Sequence, residues 1–194
     1  MKRTSLLLSV VALTFSTFTY AAEHTAISVA TWSATAKKDT TSKLVVTPVG
    51  SLTFDYAAGL AGFNTQKGLF DVTIEGNADA KDFSLESKVL SSTLSFLGSD
   101  PSTLEVGVMW NGIALDKASY TTILDTKKNI NGGNLFNLAS IYKTTGRSSA
   151  QENFTFNITS ASDGTAPLTN MEELPDGVWT GDVKVEFLAT WTTA

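Results

Sequence analysis

From Asp176 to Trp191 the chain alternates strictly enough to dictate its own surroundings. Trp179, Val183, Val185, Phe187, Ala189 and Trp191 are apolar, Asp182, Lys184, Glu186 and Thr190 between them are polar, and Leu188 alone interrupts the polar row. Side chains on a strand point to opposite faces in turn, so this run predicts one long strand with a core on one side and water on the other. Gly181 falls in the apolar row without a side chain. The gap it leaves reads as a socket for a side chain from elsewhere. A regular, apolar strand placed last is expected to lack a later strand over its free edge, and such an edge recruits another chain.

Shorter alternating runs recur upstream, at Leu52-Phe54-Tyr56, Phe70-Val72-Ile74, Phe83-Leu85, Leu94-Phe96, Leu104-Val106-Val108-Trp110 and Phe154-Phe156-Ile158. Turn chemistry separates them, at Gly76-Asn77, Gly98 to Pro101, Asp163-Gly164 and Pro175-Asp176-Gly177. Asn111-Gly112, between Leu104 to Trp110 and Ile113 to Leu115, is the strongest hairpin signal in the chain. Many short strands without long helical periodicity predict an all-β fold, an antiparallel sandwich of immunoglobulin-like type. Helix is confined to Leu135 to Tyr142, where Leu135, Leu138, Ala139 and Tyr142 have helical spacing, and to a short piece near Ala57 to Gly62.

The opening residues describe an export signal. Met1-Lys2-Arg3 is basic, Leu6 to Phe15 is mostly apolar, and Thr19-Tyr20-Ala21 supplies small residues for cleavage after Ala21. The apolar stretch is shorter than the roughly 20 residues a spanning helix needs. Residues 1–21 are thus expected to be removed, leaving 173 of the 194 residues as a single domain with its leading segment. Without Lys2 and Arg3, 12 basic residues stand against 19 acidic ones, and Arg147 is the one arginine left. That balance argues against nucleic acid and anionic membranes as partners, and no later segment reads as inserting into a membrane. The absence of cysteine removes disulfides, thiol chemistry and thiolate metal sites, so burial and strand pairing must supply stability.

Ala22 to Ala36 is extended in composition, with Thr25, Ile27, Val29 and Thr31 on one parity, and it leads into the polar run Lys37 to Lys43. An extended segment of about 12 residues reaches roughly 40 Å. It reads either as the first strand of its own sandwich or as a strand on a leash that pairs with a neighbouring molecule.

Few residues suit catalysis. His24 is the only histidine, and a triad would need it as an oriented base within that leading segment. Asp71 with Glu75, or Asp79 with Asp82, would serve as a glycosidase pair only in a cleft about 5–10 Å wide. No accompanying motif marks one, so these read as solvated strand faces or turns. Asn77, Asp79 and Asp82 lack the spacing and distal glutamate of a calcium loop. The sequons at Asn153 and Asn157 lie in one alternating strand behind a bacterial-looking export signal and are read as chance. Trp32, Trp110, Trp179 and Trp191 would make a sugar platform if they shared a surface, whereas the inward parity of the last three favours packing. No cofactor or metal is expected.

One resemblance is specific. The run Ala30-Thr31-Trp32-Ser33-Ala34-Thr35-Ala36 through Lys43-Leu44-Val45-Val46-Thr47-Pro48 closely resembles the start of the major-pilin family of the enterobacterial common pilus. Gly62-Phe63-Asn64, Gln66 to Val72, Gly132-Gly133-Asn134-Leu135 and Leu174 to Val183 resemble it too, and the likeness spans nearly the whole mature chain. Gly177 to Val183 is similar, more distantly, to the colonisation-factor pilins of the alternative chaperone/usher class. The resemblance implies an incomplete immunoglobulin-like sandwich (residues 37–194) with an N-terminal donor-strand extension (residues 22–36). It further implies self-association into a homopolymeric fibre at the cell surface, with a periplasmic chaperone and an outer-membrane usher as partners, serving adhesion and biofilm formation. Carried onto this sequence, the donor strand is Ile27, Val29 and Thr31. The acceptor groove and chaperone-facing strand are Gly181, Val183, Val185, Phe187 and Trp191. Whether a tip adhesin is used, and which host-cell receptors are touched, stays open. The alternative is a secreted carbohydrate-binding sandwich, lectin-like and monomeric, which would keep its ligand after deletion of Ala22 to Ala36.

Overall fold

The computed structural model describes residues 43–193. The chain divides into two units, Met1–Lys37 and Lys38–Ala194, and every described residue belongs to the second. The export signal, His24, the donor residues Ile27, Val29 and Thr31, and Trp32 lie outside the described residues.

Two antiparallel sheets enclose the core. The larger is ordered β1 (Leu44–Val49), β4 (Gln66–Glu75), β10 (Arg147–Ser162), β7 (Thr103–Trp110), β6 (Thr93–Phe96) and β11 (Trp179–Thr180), with β8 (Ile113–Ala114) paired to β7. The smaller is β12 (Lys184–Thr193), β5 (Ala80–Ser91) and β9 (Thr121–Asp125). A miniature hairpin of β2 (Tyr56–Ala57) and β3 (Gly62–Phe63) closes around a 3₁₀ turn, Ala58–Leu60. We call the end where β1 begins the lower end and the end where it finishes the upper end. β4 finishes and β5 starts at the lower end; β6 finishes and β10 finishes at the upper end.

Alternation explains the core. Phe70, Val72 and Ile74 of β4, Phe83, Leu85 and Val89 of β5, and Val106 and Val108 of β7 are all buried, with exposed or partly exposed residues between them. The Asn111-Gly112 hairpin forms as expected: both residues take positive φ, 48° and 80°, as a two-residue loop between right-twisted strands requires. The single α-helix among the described residues, α1 (Phe136–Ile141), follows a 3₁₀ turn at Gly133–Leu135 and buries Leu138. Its entry is held by Glu152, which accepts from the Asn134 backbone N–H at 2.9 Å. No helix among the described residues is long and apolar enough to cross a membrane.

Two expectations are corrected, and one strand is new. The terminal run is two strands in two sheets: Trp179 pairs with Phe96 in the larger, and only from Lys184 does the chain join β5 in the smaller. Leu52 and Phe54 form no strand, since regular pairing in that region starts at Tyr56. β9 is a strand without alternation, because Ile123, Leu124 and Asp125 are all buried in succession.

Candidate functional site

β12 is an edge strand with an apolar inner row. Its register sets Val185 opposite Val89, Phe187 opposite Ser87, Ala189 opposite Leu85 and Trp191 opposite Phe83. The β5 members of these pairs are 3%, 0%, 0% and 1% exposed, yet all four β12 members are only half-buried. Neighbours on one face of one sheet differ this way when the covering layer stops at one of them. Ser87 is small where Phe187 is large, which lets the ring lie across the pair and reach Phe70 and Phe154, at 5.2 and 5.7 Å between centroids. Trp191 leans on Phe83 at 5.1 Å, and its indole Nε1 is shielded from water without a hydrogen-bond partner.

β1 repeats the pattern at the edge of the other sheet. Leu44 and Val46 are half-buried, while their partners Ile74 and Val72 are 1% and 0% exposed. Pro48 on β1 is tolerated because an edge strand needs no ladder donor there. Both free edges lie on the same flank. Phe187 places β12 over β4 and β10, beside β1. β5 lies toward the opposite flank, since it runs on into β6 and its Val89 N–H donates to the Asp116 carbonyl at 2.9 Å, in the loop after β8. Among the described residues no strand pairs with the outer side of β1 or of β12. The result is a shallow apolar channel flanked by two unpaired ladders.

The outward row of β12 is fastened to its own sheet. Glu186 pairs with Lys88 at 3.3 Å and accepts a short hydrogen bond from the Tyr120 hydroxyl, and Lys88 stands 4.5 Å over the Tyr120 ring. The Tyr120 hydroxyl, and after it Lys88, hold the Glu186 carboxyl below its usual range. Glu186 in turn raises Lys88. These contacts tie the outward row of β12 to β5 and Tyr120, on top of the backbone ladder that sets its register.

The remaining candidates separate. Val183 is half-buried just before β12 and packs against the core. Gly181 is not a socket in the channel. It sits at the crossing between sheets, where a Cβ would lie 2.6 Å from the Thr93 carbonyl oxygen and 3.2 Å from Leu94 Cα, so β6 itself fills the space. Trp110 is buried, Trp179 packs on Phe96 and Phe63, and Trp191 lies on β12, so the three share no platform. Asp71 takes Gln151 at 3.3 Å and Glu75 takes Arg147 at 3.7 Å on the outer sheet face. Asn77 accepts from the Asp79 N–H as an ordinary turn. Among the described residues no cluster of three or more acidic or histidine side chains is placed to hold a metal. Sequence reasoning missed β1 as a second free edge; its alternating Leu44, Val46 and Pro48 row, directly after the polar run, is the signal that marks it.

A family model described as "Fimbrillin MatB" matches residues 25–191. The chain belongs to the MatB fimbrillin family. It is 56% identical over 174 residues to the common pilus major fimbrillin subunit EcpA of Klebsiella pneumoniae subsp. pneumoniae, covering 89% of each chain. To the protein of the same description from Escherichia coli O1:K1 it is 55% identical, with the same coverage. The solved CooA pilin subunit from enterotoxigenic E. coli is similar at 19% identity and a TM-score of 0.48, over 75% of this chain and 87% of that one. Fimbrillins are structural subunits, and this fimbrillin is not an enzyme.

Proposed function

We propose that this fimbrillin is the major repeating subunit of a surface pilus and that it polymerises by strand exchange. Each copy lends the segment around Ile27, Val29 and Thr31 to the channel between β1 and β12 of another. The observation that carries the reading is the mismatch across one row, where β5 is sealed and β12, its ladder partner, is half-bare. An added strand would complete it by β-augmentation, backbone bonds giving affinity and alternate side chains giving register. Full burial of Ile27 and Val29 would contribute about 1.5–3 kcal/mol each. Each ladder bond adds about 0.5–1.5 kcal/mol, so dissociation would be very slow.

The same bare edge explains the need for help before assembly. An uncovered apolar strand aggregates, so a periplasmic chaperone would occupy Val183, Val185, Phe187 and Trp191 until an outer-membrane usher hands the site to the next copy. Export through the periplasm, and adhesion and biofilm formation through the finished fibre, follow from that reading. Mature protein run unheated on a gel without denaturant is expected to form a ladder of multimers that collapses on heating. Deletion of residues 22–36 is expected to leave monomers alone, and a ladder surviving that deletion would refute strand exchange.

A further inference from the structure

We propose that the upper end of the domain is a docking surface for the lower end of a second copy, so that successive bodies meet end to end as well as through the exchanged strand. The inference rests on the strand-exchange reading for the placement of the two bodies. β12 runs from the upper end to the lower. A segment laid antiparallel to it, the more stable ladder, runs the opposite way and leaves the channel at the upper end. The segment rejoins its own body at Lys43, whose carbonyl accepts from the Glu75 N–H at 2.8 Å at the lower end. One copy's lower end is thereby delivered to the other's upper end.

The two surfaces differ in the sense such a meeting requires. At the upper end Leu60, Leu97 and Val178 are 79%, 68% and 62% exposed. Leu97 N–H donates to the Val178 carbonyl at 2.8 Å, and edge-to-face contacts from Trp179 through Phe63 to Tyr56 bring the Leu60 hairpin alongside. Around this apolar ground stand exposed Asp55, Asp100, Asp163, Glu172, Glu173 and Asp176, and the loops 50–65, 97–102 and 163–178 contain no lysine or arginine. At the lower end Lys43, Lys127, Lys128 and Lys143 are exposed, Lys128 beside Asp125 at 3.2 Å; the loop 126–146 contains no acidic residue, and Asp79 in the β4–β5 turn is the exposed acid that faces them. Lys37 and Lys38 immediately precede that end in sequence. Apolar ground inside a rim of one charge, facing a rim of the other, gives orientation and encounter rate.

The test follows fibre growth of the full mature chain by light scattering and electron microscopy. Glu172→Lys/Glu173→Lys/Asp176→Lys is expected to slow growth about tenfold at low salt. Its deficit should shrink at high salt, where rim charges are screened. Adding Lys43→Glu/Lys127→Glu/Lys143→Glu to the same chain, which leaves the Lys128–Asp125 pair intact, should restore growth. Leu97→Ser/Val178→Ser should slow growth at every salt concentration. A synthetic peptide of residues 22–36 should bind all these variants with wild-type affinity, because the channel is untouched. Wild-type growth of the acidic-to-basic variant, or failure of the reversed pair to rescue it, overturns the end-to-end surface. Failure of the peptide to bind even the wild-type chain instead overturns the strand-exchange reading on which it rests.

Discussion

Gly181 shows how a single residue can be read correctly as special and wrongly as to why. Its place in an alternating apolar row suggests a missing side chain and hence a hole. In the folded chain the backbone of β6 passes where the Cβ would be, 2.6 Å from Thr93 oxygen. The glycine is there for close approach of two backbones at the point where the chain leaves one sheet for the other. Gly181→Ala should therefore destabilise the domain by about 1–3 kcal/mol, read as a lower urea midpoint, while folded protein still binds the residue 22–36 peptide normally. A wild-type midpoint with lost peptide binding would restore the socket. Nothing in one sequence distinguishes the two cases, because Trp179 and Val185 keep the same parity on either side of the crossing.

At the scale of elements, legibility followed the period. The hairpin at Asn111-Gly112 and the short helix around Leu138 were plain, since a two-residue turn of that composition and a 3.6-residue repeat each admit one local structure. β9 was not, because Thr121 to Asp125 buries three consecutive residues beside a register shift in its ladder with β5. The junction of β5, β6 and β7 is held by a polar knot that the sequence hides altogether. Glu105 accepts from the Ser92 hydroxyl at 2.6 Å and the Thr93 hydroxyl at 2.9 Å, and pairs with Lys117. Burial pushes this carboxyl up, but the hydrogen bonds from Lys117, Ser92 and Thr93 outweigh it and hold the group below its ordinary 4.5. A carboxyl lowered by folding stabilises fully above its unfolded pKa and loses that contribution as pH falls through the folded value. The stability advantage of wild type over Glu105→Gln should accordingly be greatest near neutrality and shrink below about pH 4. Parallel pH profiles in urea unfolding would count against the knot.

For the molecule as a whole, the sandwich class was legible, whereas the placing of the free edges of β1 and β12 on one flank was not. Adjacency of sheet edges depends on how the sheets stack, and strand pattern is silent on that. The channel predicts an optical signal. Trp191 is half-buried, with its ring against Phe83, so covering it should shift tryptophan emission to shorter wavelength. A residue 22–36 peptide carrying Trp32→Phe should produce that shift in the arm-deleted chain, and Trp191→Phe should abolish most of it. An undiminished shift in that variant would place the covered tryptophan elsewhere.

The pairing of β12 with β5 also governs the order in which the domain can be finished. β1 and β4 are near neighbours in the chain, but Trp191 must find Phe83 after every other described strand has been made. Contacts between such distant segments form late, and until then Phe83 and Leu85 face the solvent along one side. A chain cut short by even its final ladder would carry that naked stripe permanently and be open to proteolysis. That ribbon thus works as a seal: only a copy whose β12 is in place can hide its middle.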